Sequence, residues 1–287
     1  MVPTPLTIAQ ALRWPGLDPV DARVLLQHVL SVGHAHLIAH SERALTSIEI
    51  EATRTLFCRR LQGEPVAYLV GRREFFGRDF LVSPAVLIPR PETELLVELV
   101  LERIAGLARP RILDLGTGSG CVALTLALEC VDASITAVDI SDEALHVART
   151  NGRKLAAANV EFLIGHWFET VADRRFDIIV GNPPYVRSDD PHLETGDVRF
   201  EPRRALASGS AGLDDLAHIV FGARGHLDER GGLLLEHGWD QADAVRALLA
   251  KAGFEDVFLA RDLAGHPRVS GGRAPRTGKS IPRGSSS

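Results

Sequence analysis

The sequence predicts an α/β protein in which a mainly parallel sheet follows a small all-α domain. After residue 110, apolar segments of strand length alternate with helical segments, which is typical of a parallel sheet with helices on both faces. Before residue 70, helical periodicity is the only regular pattern. We therefore expect a helical domain over 1–70, a β-hairpin linker over 71–90, an α/β domain over 91–270 and a disordered tail over 271–287.

Composition and charge narrow the class of protein. The chain has 287 residues, 45% hydrophobic content and a net charge of −5, which argues against a protein that mainly binds nucleic-acid backbones. No apolar run approaches the ~18 residues that span a bilayer, and the N-terminus has no basic-then-apolar export signal. Because Cys58, Cys121 and Cys130 lack disulfide or metal-ligand spacing, we expect a reduced cytoplasmic protein without a bound metal.

Capping signals mark the helices of the first domain. Asp18 precedes Pro19, an N-cap followed by proline at the first helical position. Thr46 and Glu49 have the spacing of a capping box, for a helix that stops at Gly63. Six arginines balance six acidic residues up to residue 70, and a neutral helical bundle suits a partner-docking module or a structural cap.

Sequence patterns also predict the hairpin linker, the tail and the strands of the α/β domain. Residues 73–88 alternate as a hairpin with a turn signal at Ser83–Pro84, and Pro91 then begins a helix with glutamates in its first turn. The tail is rich in glycine, proline and serine and carries four basic residues and no acidic one. The predicted strands of the α/β domain are "RILDL", "SITAVD", "VEFLI", "FDIIV", "GGLLLE" and "FEDVFLA".

A glycine-rich loop, "LDLGTGSG", joins the first of these strands to a helix. Its glycines, with Thr117 and Ser119 between them, allow a sharp turn and a close approach to a ligand, and they are Gly116, Gly118 and Gly120. Cys121 stands where a dinucleotide fingerprint has its third glycine, and Asp114 precedes the loop. This pattern favours a ligand made of methionine and adenosine over NAD; the alternative is a tight turn that binds nothing.

Two further residues are candidates for the same ligand. Asp139 ends the second strand about 20 residues after the glycines, where a carboxylate can accept hydrogen bonds from both ribose hydroxyls. Its alternative role is an N-cap, with Ser141, for the next helix. Trp167, after the third strand, could pack on a purine or belong to the core.

The fourth strand ends in the sequence Asn182, Pro183, Pro184 and Tyr185. The prolines fix the backbone and donate nothing, so the unit presents two acceptors, the Asn182 side-chain oxygen and the Pro183 carbonyl. Two acceptors suit an NH2 group whose hydrogens must both be held, and Tyr185 offers a flat face for a planar amide or base. The alternative is a Pro-Pro turn with a surface tyrosine.

Holding both hydrogens of an NH2 group would promote the transfer of a methyl group to its nitrogen. An amide nitrogen is a poor nucleophile, whereas a sulfonium methyl group is a strong electrophile that needs in-line approach. Holding both hydrogens aims the nitrogen lone pair, a positioning effect of roughly 7 kcal/mol or more at best. The acceptors also bind more strongly as positive charge grows on nitrogen, and the extra proton can leave to solvent.

With these residues in place, the chain resembles the bacterial release factor glutamine methyltransferases along nearly its full length, to about residue 270. The combination is more specific than "NPPY" alone, which adenine-N6 DNA methyltransferases share. The matching stretches are "IPRPETE" (88–94), "LDLGTGSG" (113–120), "AVD" (137–139), "GNPPY" (181–185), "DPHLETGDVRFEP" (190–202) and "LLLEHGW" (233–239).

The resemblance implies a Rossmann-like methyltransferase domain with a mainly parallel seven-stranded sheet. It implies S-adenosylmethionine as the methyl donor and the glutamine of the GGQ motif in class-1 peptide chain release factors as the acceptor. By position, residues 116–120, Asp139, Trp167 and Asn182 would bind the cofactor, and residues 182–185 would hold the substrate glutamine. The helical domain would dock the release factor, and we expect a monomer that binds neither nucleic acid nor membrane directly.

Three other functions remain open at this point. A sister enzyme could methylate a glutamine of a ribosomal protein with identical chemistry. An adenine-N6 nucleic-acid methyltransferase would share "NPPY", although the negative net charge disfavours it. A non-catalytic binding protein on the same fold would retain the cofactor loop but transfer no methyl group.

Overall fold

The computed structural model describes residues 6–275, which divide into two compact units. The first unit contains the residues up to 72 together with Glu194–Phe200, and the second contains 73–193 and the residues from 201 onward. None of the helices between residues 6 and 275 has the length and apolar character that a bilayer span requires.

The first unit is a bundle of short helices: α1 (Ile8–Leu12), α2 (Pro19–Leu30), α3 (His34–Ala39), α4 (Ser47–Leu61) and α5 (Val66–Val70). Both predicted caps are present. The Asp18 side chain accepts a hydrogen bond from the Val20 amide at 2.7 Å, and Thr46 and Glu49 form the reciprocal capping box. The bundle closes over the buried side chains of Leu25, Leu26, Leu37 and Phe57.

The segment Glu194–Phe200 belongs to the helical unit although it lies far along the chain. Arg60 links this segment to the helices through two ion pairs. Its Nε lies 2.6 Å from the Asp21 carboxylate, and its Nη1 lies 2.7 Å from the Asp197 carboxylate. The Arg199 guanidinium also donates to the carbonyl of Gln62. Most of the "GDVRFEP" stretch is therefore a part of this unit.

A hairpin of β1 (Arg72–Phe75) and β2 (Arg78–Leu81) follows, but its turn was predicted wrongly. The turn lies at Phe76 and Gly77, with φ values of 51° and 73°, and not at Ser83–Pro84. Two consecutive positive φ angles match the twist of a two-residue hairpin. The Glu94 carboxylate accepts the Phe76 amide at 2.8 Å, a long-range contact that stabilises a turn with no local Asn-Gly signal.

The second unit is a doubly wound α/β domain. Its seven strands are ordered β5-β4-β3-β6-β7-β9-β8, parallel up to β7, with β9 antiparallel to both neighbours. The strands are β3 (Arg111–Leu115), β4 (Ser134–Asp139), β5 (Val160–Ile164), β6 (Phe176–Gly181), β7 (Leu227–Glu236), β8 (Glu255–Arg261) and β9 (Pro267–Arg273). The helices are α6 (Glu94–Ile104), α7 (Cys121–Glu129), α8 (Asp142–Leu155), α9 (Asp214–Ala223) and α10 (Ala242–Lys251).

Neighbouring residues of the central strands bury their side chains on opposite faces of the sheet. Ile112 belongs to the core that includes α6 and α7, and Leu113 to the core that includes α9 and α10. Each such fully buried side chain stabilises the fold by about 1.5–3 kcal/mol relative to exposure. The mainly parallel, helix-covered sheet is the predicted fold class.

The last strand contradicts the predicted start of the tail. Residues 271–273 are in β9, and Ala274 is buried, so the domain continues beyond residue 270. The glycines that suggested disorder are required by packing, because a Cβ at Gly271 would lie 2.3 Å from the Leu233 carbonyl oxygen. The rest of the predicted tail, residues 276–287, lies outside the described residues.

We predict that Gly271→Val will destabilise the protein by about 3 kcal/mol, because the new side chain would collide with Leu233 and with the Phe258 ring. Urea denaturation measures the change. Gly225→Ala is the matched control, since the nearest atom to its added methyl group would be 3.6 Å away. Equal stability of Gly271→Val and wild type would mean that this segment is not a packed strand.

Candidate active site

The register of the parallel strands brings the predicted site residues to one edge of the sheet. Leu115 pairs with Val138 on one side and with Gly181 on the other. The glycine loop after β3 therefore lies between Asp139 and Asn182, at the point where the strand order reverses. A cavity of about 280 Å³ opens there, and residues of all three strand ends line it.

The glycine loop shapes one wall of this cavity. Its three glycines have φ values of 71°, 55° and 82°, a region that side chains disfavour. Gly116, Thr117, Gly118 and Ser119 line the cavity, whereas Gly120 does not. Gly120 is instead the N-cap of α7, and an added Cβ there would lie 2.9 Å from Leu124.

Asp139 hydrogen-bonds to the glycine loop and to the cap of α8, and it also lines the cavity. Its carboxylate accepts the amide of Gly118 at 2.8 Å and the amide of Ser141 at 2.9 Å. Ser141 is the N-cap of α8, so the capping alternative belongs to Ser141, which Asp139 supports. Burial raises the Asp139 pKa, opposed by these amide bonds. Each carboxylate oxygen keeps a further lone pair for a ligand hydroxyl.

Asp114 lies beneath the loop. It is 2% exposed, and the Thr117 hydroxyl donates to it at 2.7 Å. Burial raises its pKa to about 7, so the cavity floor carries a carboxyl group that is near its titration point at neutral pH.

Trp167 is both a core residue and a wall of the cavity. Its φ of 50° is a strained conformation for a bulky side chain, and such outliers concentrate at functional sites. The ring packs on Gly116, 3.5 Å from where a Cβ would be. Its Nε1 is buried and has no hydrogen-bond partner in the described part of the chain. Both sequence interpretations of Trp167 are therefore compatible with its position.

Some residues of the Asn182–Tyr185 unit line the cavity, and others pack in or beside the core. Asn182 and Pro184 line the cavity, while Pro183 is buried and Tyr185 packs beside the core that includes α9 and α10. The Asn182 Nδ2 donates to the Thr93 hydroxyl at 3.2 Å. Among residues 6–275, nothing donates to the Asn182 side-chain oxygen or to the Pro183 carbonyl. Both predicted acceptors therefore lack a donor within the described chain, and Asn182 is the one of the two residues that lines the cavity.

The Tyr185 hydroxyl donates to Glu236 at 3.3 Å, so this side chain is anchored at its tip. Burial raises the pKa of Tyr185, and a neighbouring carboxylate raises it further. Its backbone is held as well, because Gln241 Nε2 donates to the Tyr185 carbonyl at 2.9 Å. Tyr185 is therefore held at both its hydroxyl and its backbone, unlike the surface tyrosine of the alternative interpretation.

Several residues around the cavity had no predicted role. The Glu201 carboxylate, whose side chain is fully buried, binds the Arg90 guanidinium and accepts the Ile88 amide at 2.9 Å. This ion pair joins "IPRPETE" to the end of "GDVRFEP", a pairing that separate motifs do not reveal. Arg204 donates to the Ser141 hydroxyl at 2.8 Å beside Asp139. Thr93 lines the cavity and accepts from Asn182, and Glu236 accepts from Tyr185.

These residues suit S-adenosylmethionine. The unpartnered Trp167 Nε1 and the packing of its ring on Gly116 provide an aromatic wall with a free donor. Asp139 provides acceptors for a diol, and the glycines of the loop let the backbone come close to a ligand. An aromatic wall, a carboxylate and a glycine turn match the adenine, ribose and methionine portions of that molecule in chemical character.

Two family models match the chain. The model described as "PrmC N-terminal domain" matches residues 9–71, and the one described as "Methyltransferase small domain" matches residues 91–203. Relatives named release factor glutamine methyltransferase are 51% identical in Bordetella pertussis, over 90% of this chain and 96% of the relative, and 48% identical in Burkholderia pseudomallei, over 95% and 98%. A methyltransferase structure from Pyrococcus furiosus shares the fold, with a TM-score of 0.52 at 19% identity over 76% of this chain and 97% of that one.

We predict that Asp139→Ala will weaken S-adenosylmethionine binding at least tenfold, because each hydrogen bond to a charged acceptor contributes about 1.5–3 kcal/mol. Isothermal titration calorimetry measures the affinity. Asp142→Ala is the control, since that side chain is also an aspartate but is exposed, in the first turn of α8. Unchanged affinity in Asp139→Ala would reduce Asp139 to a support of the Ser141 cap.

Proposed function

The chain belongs to the family of release factor glutamine methyltransferases, and from this premise we propose how its residues divide the work. The reaction transfers a methyl group from S-adenosylmethionine to the side-chain amide nitrogen, N5, of the glutamine in the GGQ motif of class-1 peptide chain release factors. One observation supports this assignment above the others. Among residues 6–275, neither the Asn182 side-chain oxygen nor the neighbouring Pro183 carbonyl accepts a hydrogen bond, and Asn182 lines a cavity suited to the cofactor.

The cofactor is held by Gly116, Thr117, Gly118 and Ser119 along the loop, with Gly120 setting the loop's exit into α7. Asp139 would accept from the ribose, Trp167 would pack on the adenine, and Asn182 would contribute from the opposite strand end. When bound, S-adenosylmethionine supplies an electrophilic methyl group on its sulfonium sulfur.

The protein's own contribution is orientation. Asn182 and Pro183 each accept one hydrogen of the substrate amide, which turns the nitrogen lone pair toward the cavity. Pro183 and Pro184 keep the backbone rigid, and Tyr185 anchors the end of the unit through Glu236. As positive charge develops on the nitrogen, both oxygens bind its hydrogens more strongly, and this difference lowers the barrier.

The helical unit is proposed to dock the release factor. It has its own core, a neutral charge balance and the segment Glu194–Phe200, which follows the Asn182–Tyr185 unit in the chain. We further propose a cytoplasmic monomer without direct nucleic-acid or membrane binding. Three unpaired cysteines and a net charge of −5 support this assignment.

Two other substrates share the chemistry, a ribosomal-protein glutamine and an adenine amine. The names of the relatives favour release factors. Mass spectrometry separates these possibilities when purified release factor, ribosomal protein and DNA are each incubated with the enzyme and isotopically labelled cofactor. Label on the GGQ glutamine alone is the expected result, and label on another substrate with an unmodified release factor would refute the proposal.

We predict that Asn182→Ala will lower kcat by about 100-fold or more, as expected when one oriented dipole at a developing charge is removed. Cofactor affinity should remain within about threefold of wild type, since the loop, Asp139 and Trp167 are untouched. Single-turnover methylation and calorimetry give the two values. A variant that turns over like wild type would exclude the proposed grip.

We predict that deletion of residues 1–70 will reduce kcat/KM for an intact release factor by at least tenfold more than for a short GGQ peptide. The ratio of the two substrates in one variant is the readout, because general damage to the methyltransferase unit lowers both values together. An unchanged ratio would show that the helical unit contributes no docking.

A further inference from the structure

The orientation of the Asn182 amide decides whether the proposed grip can form. A carboxamide turned by 180° exchanges its oxygen for an NH2 group. A substrate NH2 group needs the oxygen; the turned amide would present a donor to a donor. Something must therefore hold Asn182 in one of two orientations of nearly equal shape.

Thr93 is the group that makes the distinction. It is 2% exposed, at the end of the turn Pro91–Thr93 that precedes α6, and its hydroxyl oxygen accepts from Asn182 Nδ2 at 3.2 Å. A hydroxyl can accept from one neighbour and donate to another. If its proton is committed elsewhere, the oxygen faces Asn182 as an acceptor only, and the amide nitrogen must point to it.

Glu236 is the candidate acceptor for this proton. Its side chain is buried, one carboxyl oxygen accepts from the Tyr185 hydroxyl at 3.3 Å, and the other has no partner of ordinary hydrogen-bond geometry among the described residues. Burial raises the Glu236 pKa to about 7, and the nearby Thr93 and Tyr185 hydroxyls oppose this increase.

Sheet register explains why these groups meet. Gly181 of β6 pairs with Leu235 of β7, so Asn182 and Glu236 are the next residues along two neighbouring parallel strands. Glu236 thus ends the strand that pairs beside Asn182, and its carboxylate accepts directly from Tyr185, the last residue of the same unit.

We propose that Thr93, with Glu236 behind it, is a positioning residue that fixes the Asn182 amide with its oxygen toward the substrate. This inference rests on the proposed function, because the orientation matters only if a substrate NH2 group is gripped. Thr93 also lines the cavity, whereas Glu236 does not. Their effect on the reaction passes through Asn182 and Tyr185.

The test is Thr93→Val, which keeps the shape of the side chain and removes its hydroxyl. We expect kcat on a release factor to fall about tenfold, the effect of one lost hydrogen bond on orientation, with cofactor affinity and Tm close to wild type. Thr93→Ser, which restores a hydroxyl, should recover most of kcat. A purely structural role would give equal losses in both variants or a lower Tm without a change in kcat.

Thr125→Val is the matched control. Thr125 is fully buried in α7, and its hydroxyl has no hydrogen-bond partner in the described chain, so the same chemical change there should leave kcat unchanged. If Thr93→Val also keeps the wild-type kcat while wild type is active, the inference is overturned. If wild type itself methylates no release factor, the proposed function fails instead.

Glu236→Gln tests the second step. An amide at this position can donate to Thr93 and release the hydroxyl proton toward Asn182, so kcat should fall at least as far as in Thr93→Val. Glu236 also accepts from Tyr185, so its replacement can cost more than that of Thr93; if Glu236 acts on Asn182 only through Thr93, the double variant should lose less than the product of the two single losses. Losses that multiply would separate Glu236 from Thr93 and refute the shared path.

Discussion

The parallel register of β4, β3, β6 and β7 is the constraint on which the site depends. It aligns four strand ends, so that a glycine-rich turn, a carboxylate, an amide and a buried glutamate meet at one edge. A slip of one residue in any pair would turn its side chains to the other face. Two cores, one on each face of the sheet, oppose such a slip, so the catalytic arrangement depends on hydrophobic packing far from the cavity.

Local signals were the most reliable guide to the structure. The Asp18 cap, the Thr46–Glu49 capping box and six strands could be predicted because each depends on residues within one turn or one strand of each other. The fold class and the family followed from the same motifs. At the site, the sequence identified residues that line the cavity, among them the glycine loop, Asp139 and Asn182.

The errors and omissions have a common physical origin in contacts distant along the chain. The hairpin turn is supported by Glu94, 18 residues away from Phe76, and the glycines of β9 are required by a neighbouring strand. Thr93 and Glu236 were missed for the same reason, because their meaning depends on a hydrogen bond to a residue 89 positions away and on strand pairing. Only the register could have pointed to Glu236, as the residue beside Asn182.

The segment Glu194–Phe200 makes the two units discontinuous in sequence. The chain leaves the methyltransferase unit soon after the Asn182–Tyr185 unit, and it returns at Glu201, whose carboxylate binds Arg90. The helical unit consequently cannot be exchanged as a simple N-terminal cassette. A chimaera with the N-terminal helices of a relative would keep the native segment Glu194–Phe200, whose Asp197 forms an ion pair with the native Arg60. Exchange of the helical unit between relatives therefore requires both pieces to be replaced together.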